Sequence, residues 1–276
     1  MPPSTRQFPI PLLLAAALLV GTKAGAEEEN APAPPPKPPE GSVIIDLPSA
    51  NVNPDGSLQF LINHRFSEPV QDSDIHSVYS FFSPANVGLG LSYVPLHNLE
   101  TGFLRGQELE DYEVFAKYSV YAPAGGTFAA GVRVGGDFRT ARNLEHRDSF
   151  FAQGILALTI ASRVRISAVP TFSSWAVGQV PPANQNVFNV LGALSIALTS
   201  SINLHGEIVP RAHGSPGTGW IASIEKTLLR HRFSFTVGNL RGTTVDQYVL
   251  WQPQFSTPQP SNVYFGFNIV RLWKLK

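Results

Sequence analysis

The sequence predicts an all-β protein, an antiparallel up-and-down transmembrane barrel of about twelve strands with both termini on the periplasmic side. Three observations carry this. From Gly41 onward, apolar and polar residues alternate at period two in one segment after another. The connections between segments alternate between short and long. Charged residues make up 14% of the chain, well below the roughly one quarter usual for soluble domains.

Taken in order, the alternating segments are 58–66, 87–94, 99–106, 111–120, 127–137, 149–160, 163–170, 187–199, 202–209, 218–228, 232–239 and 262–272. Gly, Pro, Asn and Asp interrupt them, as turn residues do. Most have the length a tilted strand needs to cross a bilayer. Every even-numbered connection is short, and all but one of the odd-numbered ones are longer. Membrane barrels have this asymmetry, with tight turns on one rim and longer loops on the other.

Side-chain phase assigns the two faces. One stripe is apolar, with Phe60 in the first segment, Leu89 and Leu91 in the second, and later Leu158, Ile196, Phe235, Phe267 and Ile269. These are predicted to face lipid. The opposite stripe carries Arg65, Glu113, Lys117, Arg133, Arg163, Arg165, His205, Glu207, Glu225 and Arg232, predicted to line the lumen. Six basic against three acidic residues give that lumen a positive balance. Segment 149–160 is apolar on both faces. In the last segment, Arg271 is placed at the periplasmic rim, where an outward arginine costs only about 0–1 kcal/mol, and Trp273 is the interfacial aromatic.

Ahead of the barrel, residues 1–26 have the form of a signal peptide: Arg6, an apolar run from Leu12 to Val20, and an Ala24-Gly25-Ala26 cleavage site. Residues 27–46 begin as EEENAPAPPPKPPE and are expected to form a disordered acidic and proline-rich linker. The barrel is assigned to 47–276, and VIIDLPSA at 43–50 either closes the periplasmic mouth or leads into the first strand. There is no cysteine, so disulfides and thiolate sites are excluded. The 20 basic and 20 acidic residues balance, which leaves no nucleic-acid footprint.

Four stretches, LPSANVNPDGSLQFLINHRF (47–66), NVGLGLSYVP (86–95), YEVFAKYSV (112–120) and YFGFNIVR (264–271), resemble a family of bacterial membrane-bound β-barrel domains of unknown function. The His64–Phe66 triplet and the closing GFNIVR segment are its more specific pieces. The resemblance implies an outer-membrane barrel of a Gram-negative-type cell and no established activity, so it assigns no catalytic residues.

No catalytic or metal site and no cofactor is expected. The seven histidines are scattered, without HxH or HxxxH spacing. No GxSxG turn occurs, although Ser195 and Ser223 could face His205 across neighbouring strands. Trp175, Tyr248, Trp251 and Phe255 in the two aromatic-bearing outer loops are candidates for a constriction. The leading functional expectation is a narrow, porin-like channel or transport-associated barrel for small polar or anionic solutes. The alternative is a non-conducting structural or assembly barrel that presents outer loops to a partner. A membrane-barrel hydrolase is the remote third reading. The expected partners are outer-membrane lipid, the barrel-assembly machinery through the C-terminal strand, and a small solute.

Overall fold

The computed structural model describes residues 41–74, 83–123, 125–140, 148–176, 185–212, 215, 217–251 and 261–275. The expected signal peptide and most of the expected linker lie outside the described residues. The twelve strands are β1 (Ser57–Phe66), β2 (Ala85–Leu96), β3 (Leu99–Gly106), β4 (Asp111–Tyr121), β5 (Phe128–Arg139) and β6 (Asp148–Ile160). They continue with β7 (Val164–Ala176), β8 (Gln185–Ala197), β9 (Ile202–Val209), β10 (Gly219–Leu228), β11 (His231–Gly238) and β12 (Tyr264–Lys274). Each pairs antiparallel with its sequence neighbours, and β1 pairs with β12 to close the barrel. Closure leaves no free strand edge, so every strand finds its backbone partners within the sheet.

The two faces differ as a membrane requires. Large apolar side chains such as Leu89, Phe103, Leu158 and Phe188 are exposed on the outside, while Asn63, Glu113, Gln153 and Thr171 are buried inside. No helix among the described residues is long and apolar enough to cross a membrane; the strands do the crossing.

The closing seam sets Ser57 opposite Lys274 and Arg65 opposite Gly266. A side chain at Gly266 would meet the His64 carbonyl and come within 2.7 Å of Thr236 Oγ1. The glycine of the GFNIVR segment is thus set by close backbone approach at the seam.

Two strand limits differ from expectation. Arg163 is not on a strand, because Ala161 (φ 50°) and Ser162 (φ 57°) form a tight turn closed by Arg163 N–H to the Ile160 carbonyl at 3.1 Å. Successive positive φ values match the right-handed twist of a hairpin. At Pro170 the strand does not stop, as sequence punctuation suggested, and β7 runs on to Ala176. Proline lacks an N–H, and the β6–β7 ladder skips the positions around it while β7–β8 pairing continues through Pro170 and Val190. Gly154 makes room for the ring, since a Cβ there would lie 3.2 Å from Pro170 Cγ.

The interior is not an open tube. Two segments of the chain enter it, residues 41–53 ahead of β1 and residues 239–251 ahead of β12. The second contains one helical turn, α1 (Val245–Tyr248). A dry core forms among Ile45 and Leu47 of the first insert, Tyr248 and Trp251 of the second, and Phe151, Ile155, Leu191 and Ile221 of the wall. Segment 149–160 is apolar on both faces for this reason: its outer face meets lipid and its inner face meets the inserts.

Candidate functional site

The first insert docks through its main chain. Residues 44–47 make a turn, with Ile44 N–H bonded to the Leu47 carbonyl at 2.9 Å. Its outward amides converge on the Glu207 carboxylate of β9: Ile45 at 2.7 Å, Leu47 at 3.0 Å and Asp46 at 3.1 Å. Successive N–H groups around one carboxylate form an anion nest. Lys117 Nζ donates to the carbonyls of Ser42 (2.8 Å) and Asn51 (2.9 Å), and Asn268 Nδ2 donates to that of Ile45 (2.8 Å). Asp46 supplies the one ionic side chain, 2.8 Å from Arg65 Nη2. Burial pushes the Asp46 carboxyl above its ordinary range, opposed by that guanidinium. Residues 41–46, expected as linker, therefore belong to the interior.

The second insert docks mainly through side chains. Trp251 Nε1 donates to the Asn239 carbonyl at 2.9 Å, and its ring lies where a Cβ on Gly219 of β10 would be, 2.5 Å from Trp251 Cδ1. Tyr248 Oη accepts from Gln153 Nε2 at 3.2 Å, and burial raises its phenol pKa. Asp246 Oδ2 lies 3.2 Å from Arg139 Nε, and burial raises the Asp246 carboxyl. Gln247 Nε2 reaches Asp111 Oδ2 of β4 at 3.1 Å, and Val245 N–H reaches Glu113 Oε2 at 2.8 Å. Beside it, in the turn between β3 and β4, burial drives Glu108 up to about 7 against the pull of Arg241.

Of the residues expected in the lumen, Arg65, Glu113, Lys117, Arg133, His205, Glu207 and Glu225 are buried inside the barrel. Arg165 and Arg232 sit on the inward face nearer the rim, where Arg165 Nε donates to Thr159 Oγ1 at 3.1 Å. Arg163 is exposed in its turn and lines nothing. Phe60, Leu89, Leu91, Leu158, Ile196, Phe235, Phe267 and Ile269 lie on the opposite, outer face. Among the constriction candidates, Tyr248 and Trp251 fill the interior. Trp175 is instead exposed at the end of β7, and Phe255 lies outside the described residues.

The sequence reading missed Glu100, Asp111, Asp137 and Arg139, all buried on the inner wall. Asp111 and Asp137 lie at strand ends, where aspartate reads as turn punctuation; only the register that pairs Asp111 with Arg139 and Glu113 with Asp137 brings them together. With these included, six inward cations (Arg65, Lys117, Arg133, Arg139, Arg165, Arg232) face six inward carboxylates (Glu100, Asp111, Glu113, Asp137, Glu207, Glu225). The wall is balanced rather than positive. Wall-to-wall pairs are Lys117–Glu100 at 2.9 Å, Arg232–Glu225 at 3.5 Å and Arg133–Glu113, with the Arg133 guanidinium over the Phe115 ring at 4.2 Å.

Ser195 Oγ lies 2.9 Å from His205 Nδ1, and His205 Nε2 lies 3.8 Å from Glu225 Oε1. All three are buried within the lumen.

Two cavities frame the inserts. One of about 60 Å³ lies between them, bordered by Asp46, Lys117, Arg133 and Tyr248. One of about 650 Å³ opens at the short-turn rim, where Arg165, Arg230 and Arg232 outnumber Asp55.

Among solved structures, the COG4313 outer membrane channel from Pseudomonas putida F1 is similar at TM-score 0.51 and 10% identity, over 80% of this chain and 97% of that one. The NanC porin is similar at TM-score 0.48 and 8% identity, over 78% and 98%. Outer membrane phospholipase A from Escherichia coli is similar at TM-score 0.41 and 11% identity, over 89% and 94%. At such identities the likeness concerns the fold alone. No curated protein matches the sequence. Residues 40–273 match the family described as membrane bound beta barrel domain (DUF5777). That match begins one residue before the first insert and ends in β12, so the closed barrel and the insert that enters it are one unit, and the chain belongs to this family of membrane-bound β-barrels.

Proposed function

We propose that the protein is an outer-membrane channel or transport-associated barrel for small polar or anionic solutes, held closed in the described conformation by two segments of its own chain. One observation carries this reading: polar groups of the wall are answered by the backbone of the first insert. Glu207, Lys117, Asn268 and Arg232 all bond to main-chain atoms of residues 42–51. A barrel filled only for rigidity has no need to spend wall charges on a removable segment. Withdrawal of the insert would leave them facing water along a hydrated path. The arginines of the rim cavity supply the mild preference for anions. Ser195 and His205 serve in this reading as a hydrogen-bonded pair that fills the lumen, with Ser195 only 3% exposed.

Planar-bilayer recording tests the proposal. Wild-type protein should be almost silent, while deletion of residues 41–53, or Glu207→Ala where the deletion fails to assemble, should raise conductance at least tenfold. In the opened form, Arg165→Glu with Arg232→Glu should move the reversal potential toward cation selectivity. Silence of all forms at every voltage would replace the channel with a structural barrel that presents outer loops to a partner.

A further inference from the structure

The side chains of Asp111 (β4), Asp137 (β5) and Asp246 (α1) converge at the end of the barrel where the second insert enters. Each offers a carboxylate oxygen, and these oxygens lie within 4.8 Å of one another. All three residues are fully buried. Asp137 is the decisive one. Neither of its oxygens has a hydrogen-bond partner among the described residues, and no solvent reaches it. Asp111 is held by its other oxygen: Thr244 Oγ1 at 2.7 Å and Gln247 Nε2 at 3.1 Å both bond Oδ2, while Oδ1 has no donor. Asp246 Oδ1 lies 2.8 Å from the same Thr244 Oγ1, whose single proton the two carboxylates share.

The local charge points the same way. Glu113 is matched by Arg133 and Asp246 by Arg139. Among the described residues Asp111 and Asp137 have no salt bridge; Arg139 near Asp111 and Arg133 near Asp137 are already paired with Asp246 and Glu113, so four carboxylates here face two guanidiniums. Buried carboxylates stay ionised only when paired or coordinated. A single divalent ion supplies the missing charge and the missing partners together. The donors are all carboxylate oxygens, which select a hard cation. Oxygens on opposite sides of a calcium ion, each at about 2.3–2.6 Å, stand about 5 Å apart, which suits this spread, and calcium tolerates irregular shells that magnesium does not.

We propose that Asp111, Asp137 and Asp246 bind one calcium ion that ties the second insert to the barrel wall. A search for histidine spacing cannot find such a site, because its donors are aspartates brought together only by strand register. The site does not depend on whether the barrel conducts.

The test uses the full barrel refolded into detergent without lipopolysaccharide and stripped with EDTA. Equilibrium dialysis against calcium chloride should give about one ion per chain, and calorimetric titration should show binding at least tenfold tighter for calcium than for magnesium. Asp137→Asn and Asp246→Asn should each weaken calcium binding at least tenfold, with retention of the heat-modifiable gel shift of a folded barrel as the control. Calcium should also slow hydrogen exchange of 243–251 in wild type but leave 41–53 unchanged. Absence of calcium from wild type at millimolar concentration would overturn the proposal and leave the carboxyls to be neutralised by protons. Binding that survives both substitutions would place the ion elsewhere and overturn it equally.

Discussion

The segment 41–53 meets the wall chiefly through amides and carbonyls, with Asp46 on Arg65 as its ionic side chain, whereas 239–251 relies chiefly on indole, phenol, amide and carboxylate side chains, with main-chain bonds at Arg241, Val245 and Val249. The recognition chemistry is therefore on opposite partners. For the first insert much of it lies in the wall, where Glu207, Lys117 and Asn268 hold main-chain atoms, while Ile45, Leu47 and Asp46 add side-chain fit. For the second it lies in the insert, whose Tyr248 and Trp251 fit particular spaces beside Gln153 and Gly219. The attachments differ too. The first insert continues upstream into a proline-rich stretch, while the second joins β11 to β12 at both ends. In the proposed channel, 41–53 is the segment that leaves.

Substitutions that separate the two modes should break this contrast if it is wrong. Glu207→Ala has the largest expected effect, because the amides of Ile45, Asp46 and Leu47 lose one shared acceptor and each unanswered buried N–H costs about 1–3 kcal/mol. Limited proteolysis should then cut within 41–53 while 239–251 stays protected. Cleavage of both segments together would mean that they dock as one body. Trp251→Ala should cost about 3–5 kcal/mol, the range for removing a buried tryptophan, and should raise hydrogen exchange across 239–251 alone. Glu108→Gln sharpens the contrast by pH. Burial raises the Glu108 carboxyl from 4.5 to about 7, so the folded state holds its proton more tightly than the unfolded chain. Stability at the second insert should therefore fall as pH rises from about 4.5 to about 7 and level off above, by up to about 3 kcal/mol. The substitution should flatten that slope, read as the pH dependence of the thermal midpoint.

The barrel itself was legible in the sequence because each strand separates two media, and period-two alternation records that separation directly. Phe60 against Gln59 and Ile269 against Asn268 need no tertiary information. Arg163 shows the limit, since its phase fitted the lumen stripe but a turn with two positive-φ residues took it off the strand. Trp175 fell to the opposite error, with Pro170 read as a stop where the β8 side of the ladder never needed its N–H. The inserts have no period at all. Their traces were the apolar stretch VIIDLPSA, the loop aromatics Tyr248 and Trp251, and the apolar inner stripe of β6, which makes sense once Ile45, Leu47, Tyr248 and Trp251 are known to press against that side of the barrel. Asp111 and Asp137 were illegible for a further reason: they are 26 residues apart and meet only through the pairing of β4 with β5.

Arg65 has a consequence for how the molecule is made. Its guanidinium joins Asp46 at 2.8 Å and, from the other nitrogen, Asn268 Oδ1 of β12 at 2.7 Å. The same arginine thus fastens the first insert to the last strand synthesised. A nascent barrel lacking its final strand would miss half of that clasp and the Asn268–Ile45 bond with it. Closure of the cylinder and docking of residues 41–53 are thereby coupled, because β12 supplies contacts to both.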